Sequence, residues 1–370
     1  MIPLFRVHLP ESVDEPLLEV LHSGWIGQGV KVDKFEDNLK NRLNNPYVLS
    51  LNNGTAGLHI ALRLAEVGYD DEVITSPMTC LATATPIVRE GAVPVWCDID
   101  PKTGNIDPNK IEELITLRTR AILCVHWGGY PCDLEEINEI AEDYGLYVIE
   151  DAAQALGATY KGKPIGSISD FTEFSLQAIK VITTIDGGIL TCKDEDDYRR
   201  GKLLRWYGLD REIVGREARL LNDVPECGWK MNMTDVPAIV GLEQLKYLDG
   251  ILKKHRANAE YYNNEFSNRN IKRVKPLSYT KDRQGTHWLY TVLVEDKEDF
   301  RKFMEERKIG VGQPHVRIDT YSCFDKFQRD DLVGVTEFSD HQTCVPVGWW
   351  LSEEDRESII DAIEEWDNLG

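Results

Sequence analysis

From Asn45 to about residue 192, short apolar runs alternate with amphipathic stretches, and that rhythm limits what the chain can fold into. Tyr47 to Leu51 is followed by Ala56 to Ala65, Glu72 to Thr75 by Ala82 to Arg89, and Arg120 to Val125 by Leu134 to Tyr144. Further strand-like runs stand at Val93 to Cys97 and Leu146 to Ile149. Parallel strands cannot be joined by a tight turn and need a crossover, usually a helix, so this order predicts an α/β unit with many parallel strands.

In such sheets ligands gather outside the carboxyl ends of the strands. Asn53-Gly54-Thr55-Ala56 and Asp151 both fall where predicted strands end and are expected to converge. Gly187-Gly188 reads as a turn into a strand at Ile189 to Cys192, with a helix from Asp194 to Trp206, which leaves Lys180 on a loop between sheet elements. A polar, irregular stretch runs from Arg211 to Glu226. The spacing of Ile239, Leu242, Leu245 and Leu248 then predicts one long connecting helix over Asp235 to Phe266. A strand near Trp288 to Val294 and helices over Lys297 to Arg307 and Ser352 to Trp366 suggest a smaller α+β domain.

The formal net charge of −21 repels polyanions, and no basic stripe interleaved with aromatics is present, so nucleic acid is not expected as a partner. A small anion remains compatible, since Lys230 and Arg317 can supply local positive charge. No apolar run reaches the roughly 18 residues of a membrane span, and the first residues lack a secretory layout, which places the chain in the cytoplasm with no membrane partner. The eight cysteines form no CxxC pair, unlike a disulfide framework or zinc site; no metal is expected, and free, mostly buried thiols are.

Three segments carry chemistry. Most lysines are solvated surface groups, but Lys180 ends the charge-poor run Phe174-Ser175-Leu176-Gln177-Ala178-Ile179, where partial desolvation favours the neutral amine that attacks an aldehyde. Asp151 either caps a helix at Ala152 to Leu156 or faces a pyridinium nitrogen. Asn53-Gly54-Thr55-Ala56 is either a plain strand-to-helix turn or a phosphate cradle, with Thr55, Ser175 and Gln177 as hydroxyl and amide donors. Amine, carboxylate and cradle together are what pyridoxal phosphate chemistry requires.

With SGWIGQG at 23 to 29 and MTDVPAIVGLEQL at 233 to 245, the motifs resemble, over nearly the whole chain, the DegT/DnrJ/EryC1/StrS family of sugar aminotransferases. The resemblance implies a pyridoxal 5'-phosphate-dependent transferase of fold type I, similar to aspartate aminotransferase. Its large domain, residues 1–240 with an N-terminal arm, holds a mostly parallel seven-stranded sheet between helices; residues 241–370 form a smaller α+β C-terminal domain. It further implies a homodimer with shared active sites that moves an amino group from L-glutamate to a nucleotide-linked keto sugar, a 4-keto-6-deoxy sugar by preference, making an amino sugar for a surface glycan such as O-antigen.

By the same resemblance Lys180 is the Schiff-base lysine, Asp151 the partner of the pyridine nitrogen and Gln154 that of the ring hydroxyl or face. Gly54, Thr55, Ala56, Ser175 and Gln177 become phosphate contacts. Lys230, in Gly228-Trp229-Lys230-Met231-Asn232, stands where many members carry an asparagine that reaches the neighbouring subunit's site. Cys80 replaces a frequent stacking aromatic, a loss of about 0.5 to 1.5 kcal/mol of cofactor contact. Trp25, Ile26, His287, His315 and Arg317 are the candidate substrate contacts, while Trp349-Trp350 suits core or dimer surface. Relatives with histidine in place of the lysine are sugar dehydratases, which Lys180 argues against; a non-catalytic regulatory protein that binds pyridoxal phosphate is opposed by the intact Lys180 and Asp151.

Overall fold

The computed structural model describes residues 1–213 and 223–369, so residues 214–222 of the expected irregular stretch lie outside the described residues. Its centre is a seven-stranded sheet built from β1 (Val48–Leu51), β2 (Glu72–Thr75), β3 (Val93–Trp96), β4 (Thr119–Val125), β5 (Tyr147–Asp151), β8 (Phe171–Ser175) and β9 (Gly188–Cys192). The order is β1-β9-β8-β5-β4-β2-β3, and β9 alone runs antiparallel to its neighbours. β1, β2 and β9 are buried along their whole length, the mark of strands covered on both faces. Each buried valine, leucine or isoleucine there contributes about 1.5 to 3 kcal/mol.

The covering helices follow the sequence rhythm. α1 (Asp14–His22) and α2 (Val30–Leu43) precede the sheet. α3 (Gly54–Leu64) begins where Asn53 Oδ1 accepts the amide of Ala56 at 2.8 Å, and Gly54 and Gly57 let it lie close on β8. α4 (Leu81–Arg89), α5 (Leu134–Tyr144) and α6 (Glu195–Leu204) fall within one or two residues of their predicted bounds. No helix follows Asp151, so the capping alternative over Ala152 to Leu156 is not realised and residues 152 to 157 turn instead.

The single long helix read from Asp235 to Phe266 is two: α7 (Asp235–Leu245) and α8 (Leu248–Asn268). The break is tertiary in origin. Gln244, near the end of α7, is held by His8, while Asp249 at the start of α8 is held by Arg42 at 2.7 Å, so the two helices serve different surfaces. Beyond them, β10 (Val274–Pro276), β12 (Tyr290–Val294) and β13 (Gln342–Val345) form an antiparallel sheet with α9 (Lys297–Glu306), α10 (Val333–His341) and α11 (Glu353–Asp367). Two minor strands, β6 (Thr159–Tyr160) and β7 (Lys163–Pro164), join β11 (Arg283–Gln284) in a third small sheet, which ties the C-terminal part to the segment between β5 and β8.

The parts are also fused through side chains. One continuous core includes Trp96 and Trp127 beside Phe324, Phe338 and Cys344. Ile2 pairs with Ile309, so the first residues pack on the C-terminal part. Among the described residues no helix is long and apolar enough to cross a membrane. Five of the eight free thiols are buried, and Cys80, Cys227 and Cys323 are exposed.

Candidate functional site

At the carboxyl ends of β1, β5 and β8 lies a cavity of about 900 Å³. The segment after β1, Asp151, Ser175 and Lys180 line it, and Trp288, Pro314 and His315 close it from the C-terminal part. The expected convergence of the Asn53 turn and Asp151 is therefore present.

Lys180 is set by a local turn. Its amide donates to Gln177 O at 2.9 Å, and Gln177 Oε1 accepts from the amide of Ile179 at 3.1 Å. The Lys180 ammonium stands 4.2 Å from the ring centre of Trp288, whose indole N–H is fixed on Ile179 O at 2.8 Å. Water can enter the cavity, and Lys180 is half-buried, yet the surrounding protein pushes its pKa down; the charges of Asp151, Glu173 and Cys80 oppose that shift. Just beyond, Ile185 has a φ of 73°, costly for a β-branched residue, and its amide is held by Thr183 Oγ1 at 2.8 Å. This turn puts Asp186 on the cavity wall.

Asp151 is buried and doubly anchored. Thr83 Oγ1 donates to Oδ2 at 2.6 Å, and the amide of Ala153 donates to Oδ1 at 3.1 Å. Because the Thr83 proton is committed to the carboxylate, the 2.7 Å contact between Thr79 and Thr83 has Thr79 as donor. From the opposite face of β5, Glu150 meets His126 at 2.8 Å and accepts from Thr172 at 3.1 Å, all fully buried, which stiffens the strand end that carries Asp151.

The start of α3 supplies the anion cradle. Asn53 caps the amide of Ala56, whereas the amides of Gly54 and Thr55 have no acceptor among the described residues. Unpaired amides and the helix dipole favour an anion there, and Ser175 and Gln177 line the same wall. Gln154 also lines the cavity, with its side-chain oxygen taking the amide of Gly128 at 2.8 Å, and exposed Cys80 lies at the foot of α4.

Lys230 lines the cavity. Its ammonium lies over Trp206 and donates to Asn232 Oδ1 at 2.5 Å. His315 is in place: its Nε2 is buried without a partner, and burial, then Lys180, lowers its pKa to about 3. Four of the expected substrate contacts are not in the cavity lining. Trp25 and Ile26 are exposed, at 70% and 53%, on the segment between α1 and α2. His287 adopts a φ of 49° and packs on Tyr279, its carbonyl accepting from His255 at 3.0 Å. Arg317 is spent on a two-pronged pair with Asp319 at 2.9 and 2.5 Å.

Sequence reading missed Glu173, Thr79, Thr83, Trp288 and Asp186. Glu173 lies two residues before Ser175 on β8 and so shares its face, and Thr79 and Thr83 are four apart at a helix start; those spacings were the available signals.

The chain matches the DegT/DnrJ/EryC1/StrS aminotransferase family over residues 9–364. It is 34% identical to the spore coat polysaccharide biosynthesis protein SpsC of Bacillus subtilis, covering 96% of this chain and 94% of that protein. It is 32% identical to GDP-perosamine synthase of Escherichia coli O157:H7, over 90% and 89% of the two chains. The PLP-form structure of Spr1654, a putative sugar aminotransferase from Streptococcus pneumoniae, superposes with a TM-score of 0.91 at 27% identity, covering all of this chain and 99% of that one. The donor set fits pyridoxal phosphate: a buried anchored carboxylate, a desolvated amine and a helix start with two amides free to take an anion.

Proposed function

The chain belongs to the DegT/DnrJ/EryC1/StrS aminotransferase family, whose aminotransferases depend on pyridoxal phosphate, and from that premise we propose that it transfers an amino group from L-glutamate to a nucleotide-linked keto sugar. The preferred acceptor is a 4-keto-6-deoxy sugar, and the product an amino sugar for a surface polysaccharide. Relatives named for GDP-perosamine synthesis and spore coat polysaccharide support this reading. The observation that carries it is the single cavity in which the Lys180 amine, the Asp151 carboxylate and the α3 cradle meet.

When bound, the cofactor supplies a carbonyl carbon for amines and a protonated ring that accepts electrons. Lys180 would bind that carbon through its amine, and the amine, when free, would take and return a proton at the reacting substrate carbon. Burial helps by keeping a share of this amine neutral. Asp151, fixed by Thr83 and Ala153, holds the ring nitrogen and its proton. Gly54, Thr55, Ala56, Ser175 and Gln177 seat the phosphate, and Gln154 borders the ring. Lys230 and His315 face the remaining space and meet the substrate.

The protein works as a homodimer in this reading, with Trp25, Ile26 and Val30, all more than half exposed, turned to the second copy. A panel of keto sugar nucleotides mixed with the enzyme and glutamate, scored by product mass, tests the assignment. An amine gain of mass with none of the keto sugars would overturn it.

A further inference from the structure

Glu173 is buried in the site without a place in the mechanism above. It is 1% exposed, it lines the cavity, and its buried Oε1 has no hydrogen-bond partner. The side chain is clamped between β8 and α3: a Cβ on Gly54 would overlap Oε1, and one on Gly57 would stand 2.7 Å from its Cγ. The same Gly54 position lies 3.1 Å from the Ser175 Cβ, so the carboxyl abuts the cradle where Gly54 and Ser175 meet.

Its register partner across β5 and β8 is Asp151, which places two acids side by side at the sheet edge. Donors decide which keeps a proton. Asp151 has a hydroxyl on one oxygen and an amide on the other, whereas Glu173 has neither. Burial, then the charge of Asp151, push the Glu173 pKa well up, with Lys180 opposing; α3 faces it with Gly54 and Gly57, and β9 with apolar residues. A buried carboxylic acid has one proton to donate and needs an acceptor. We propose that Glu173 is a neutral acid that donates a hydrogen bond to the cofactor phosphate at the start of α3, a contact additional to the amides and hydroxyls of the cradle.

The inference rests on the phosphate lying in that cradle, and the test separates the two. Enzyme stripped of cofactor is titrated with pyridoxal phosphate and with pyridoxal, followed by quenching of tryptophan fluorescence, for the wild type, Glu173→Gln and Glu173→Leu. Losing a donor to a charged acceptor weakens pyridoxal phosphate about tenfold or more in Glu173→Leu, with pyridoxal unchanged. Glu173→Gln, still a neutral donor, stays within about threefold for both ligands. An unchanged ratio of the two affinities in Glu173→Leu overturns the proposal. So does a Glu173→Gln affinity for pyridoxal phosphate outside the threefold range, since a tighter complex would mean that the native group is an anion. If Glu173→Leu fails to fold, the glutamine arm decides alone. A wild type indifferent to the phosphate would instead refute the placement of the cradle.

Discussion

Replacing Thr83 by valine removes one hydroxyl from a fully buried site with almost no change of shape, and with it both the contact to Thr79 and one charge-assisted hydrogen bond. That bond, 2.6 Å to Asp151 Oδ2, is made to a carboxylate, and its loss is expected to cost about 1.5 to 3 kcal/mol. Thr79 donates to Thr83 over 2.7 Å in a neutral bond, so Thr79→Val should cost about 0.5 to 1.5 kcal/mol. The two are coupled: once Thr83 is gone, Thr79 has already lost its acceptor, and the double variant should fall short of the sum by roughly 0.5 kcal/mol or more. Urea unfolding of the cofactor-free protein at fixed m-value measures all three. The reasoning fails if Thr83→Val lies within about 0.5 kcal/mol of wild type, or if Thr79→Val is the costlier change.

Lys180→Ala should lose the visible absorbance of lysine-bound cofactor together with turnover, and retained turnover would remove Lys180 from the mechanism. His126→Leu strands Glu150 Oε2 and the Cys132 amide in a fully buried place and should cost about 3 to 5 kcal/mol in denaturant unfolding. Burial lowers the pKa of His255 and His287 to about 4 and of His315 to about 3. At these three positions the unfolded chain binds protons that the folded one refuses below about pH 6.5, so their contribution to stability is full above that value and is lost as pH falls. Each group contributes up to about 1.4 kcal/mol per pH unit, and His255→Asn should flatten the decline of the urea midpoint between pH 6.5 and 5.

Much of the site was readable because its parts sit at strand ends. Asn53 to Ala56, Asp151, Ser175 and Lys180 each follow an apolar run with its own local signal, and all line the cavity. Of the two alternatives for Asp151 the helix cap is not realised: the acid's oxygens are taken by Thr83, 68 residues away, and by a two-residue turn at Ala153. His287 and Arg317 are polar residues in plausible segments, but a backbone turn and a neighbouring aspartate claim them. The broken helix at Lys246 and Tyr247 likewise depends on His8 and Arg42, remote in sequence.

Periodicity and end signals in the chain alone determined the parallel sheet, the order of its crossovers, and the lysine, aspartate and helix start that its edge presents, because those features are set by near neighbours along the backbone. Packing decided the rest: which polar groups are spent on each other, which stay unpaired in the cavity, and that Glu173 lies against the cradle beside Asp151. Burial and partnership belong to residues brought together from distant positions, and no local pattern encodes the surroundings in which a carboxyl keeps its proton.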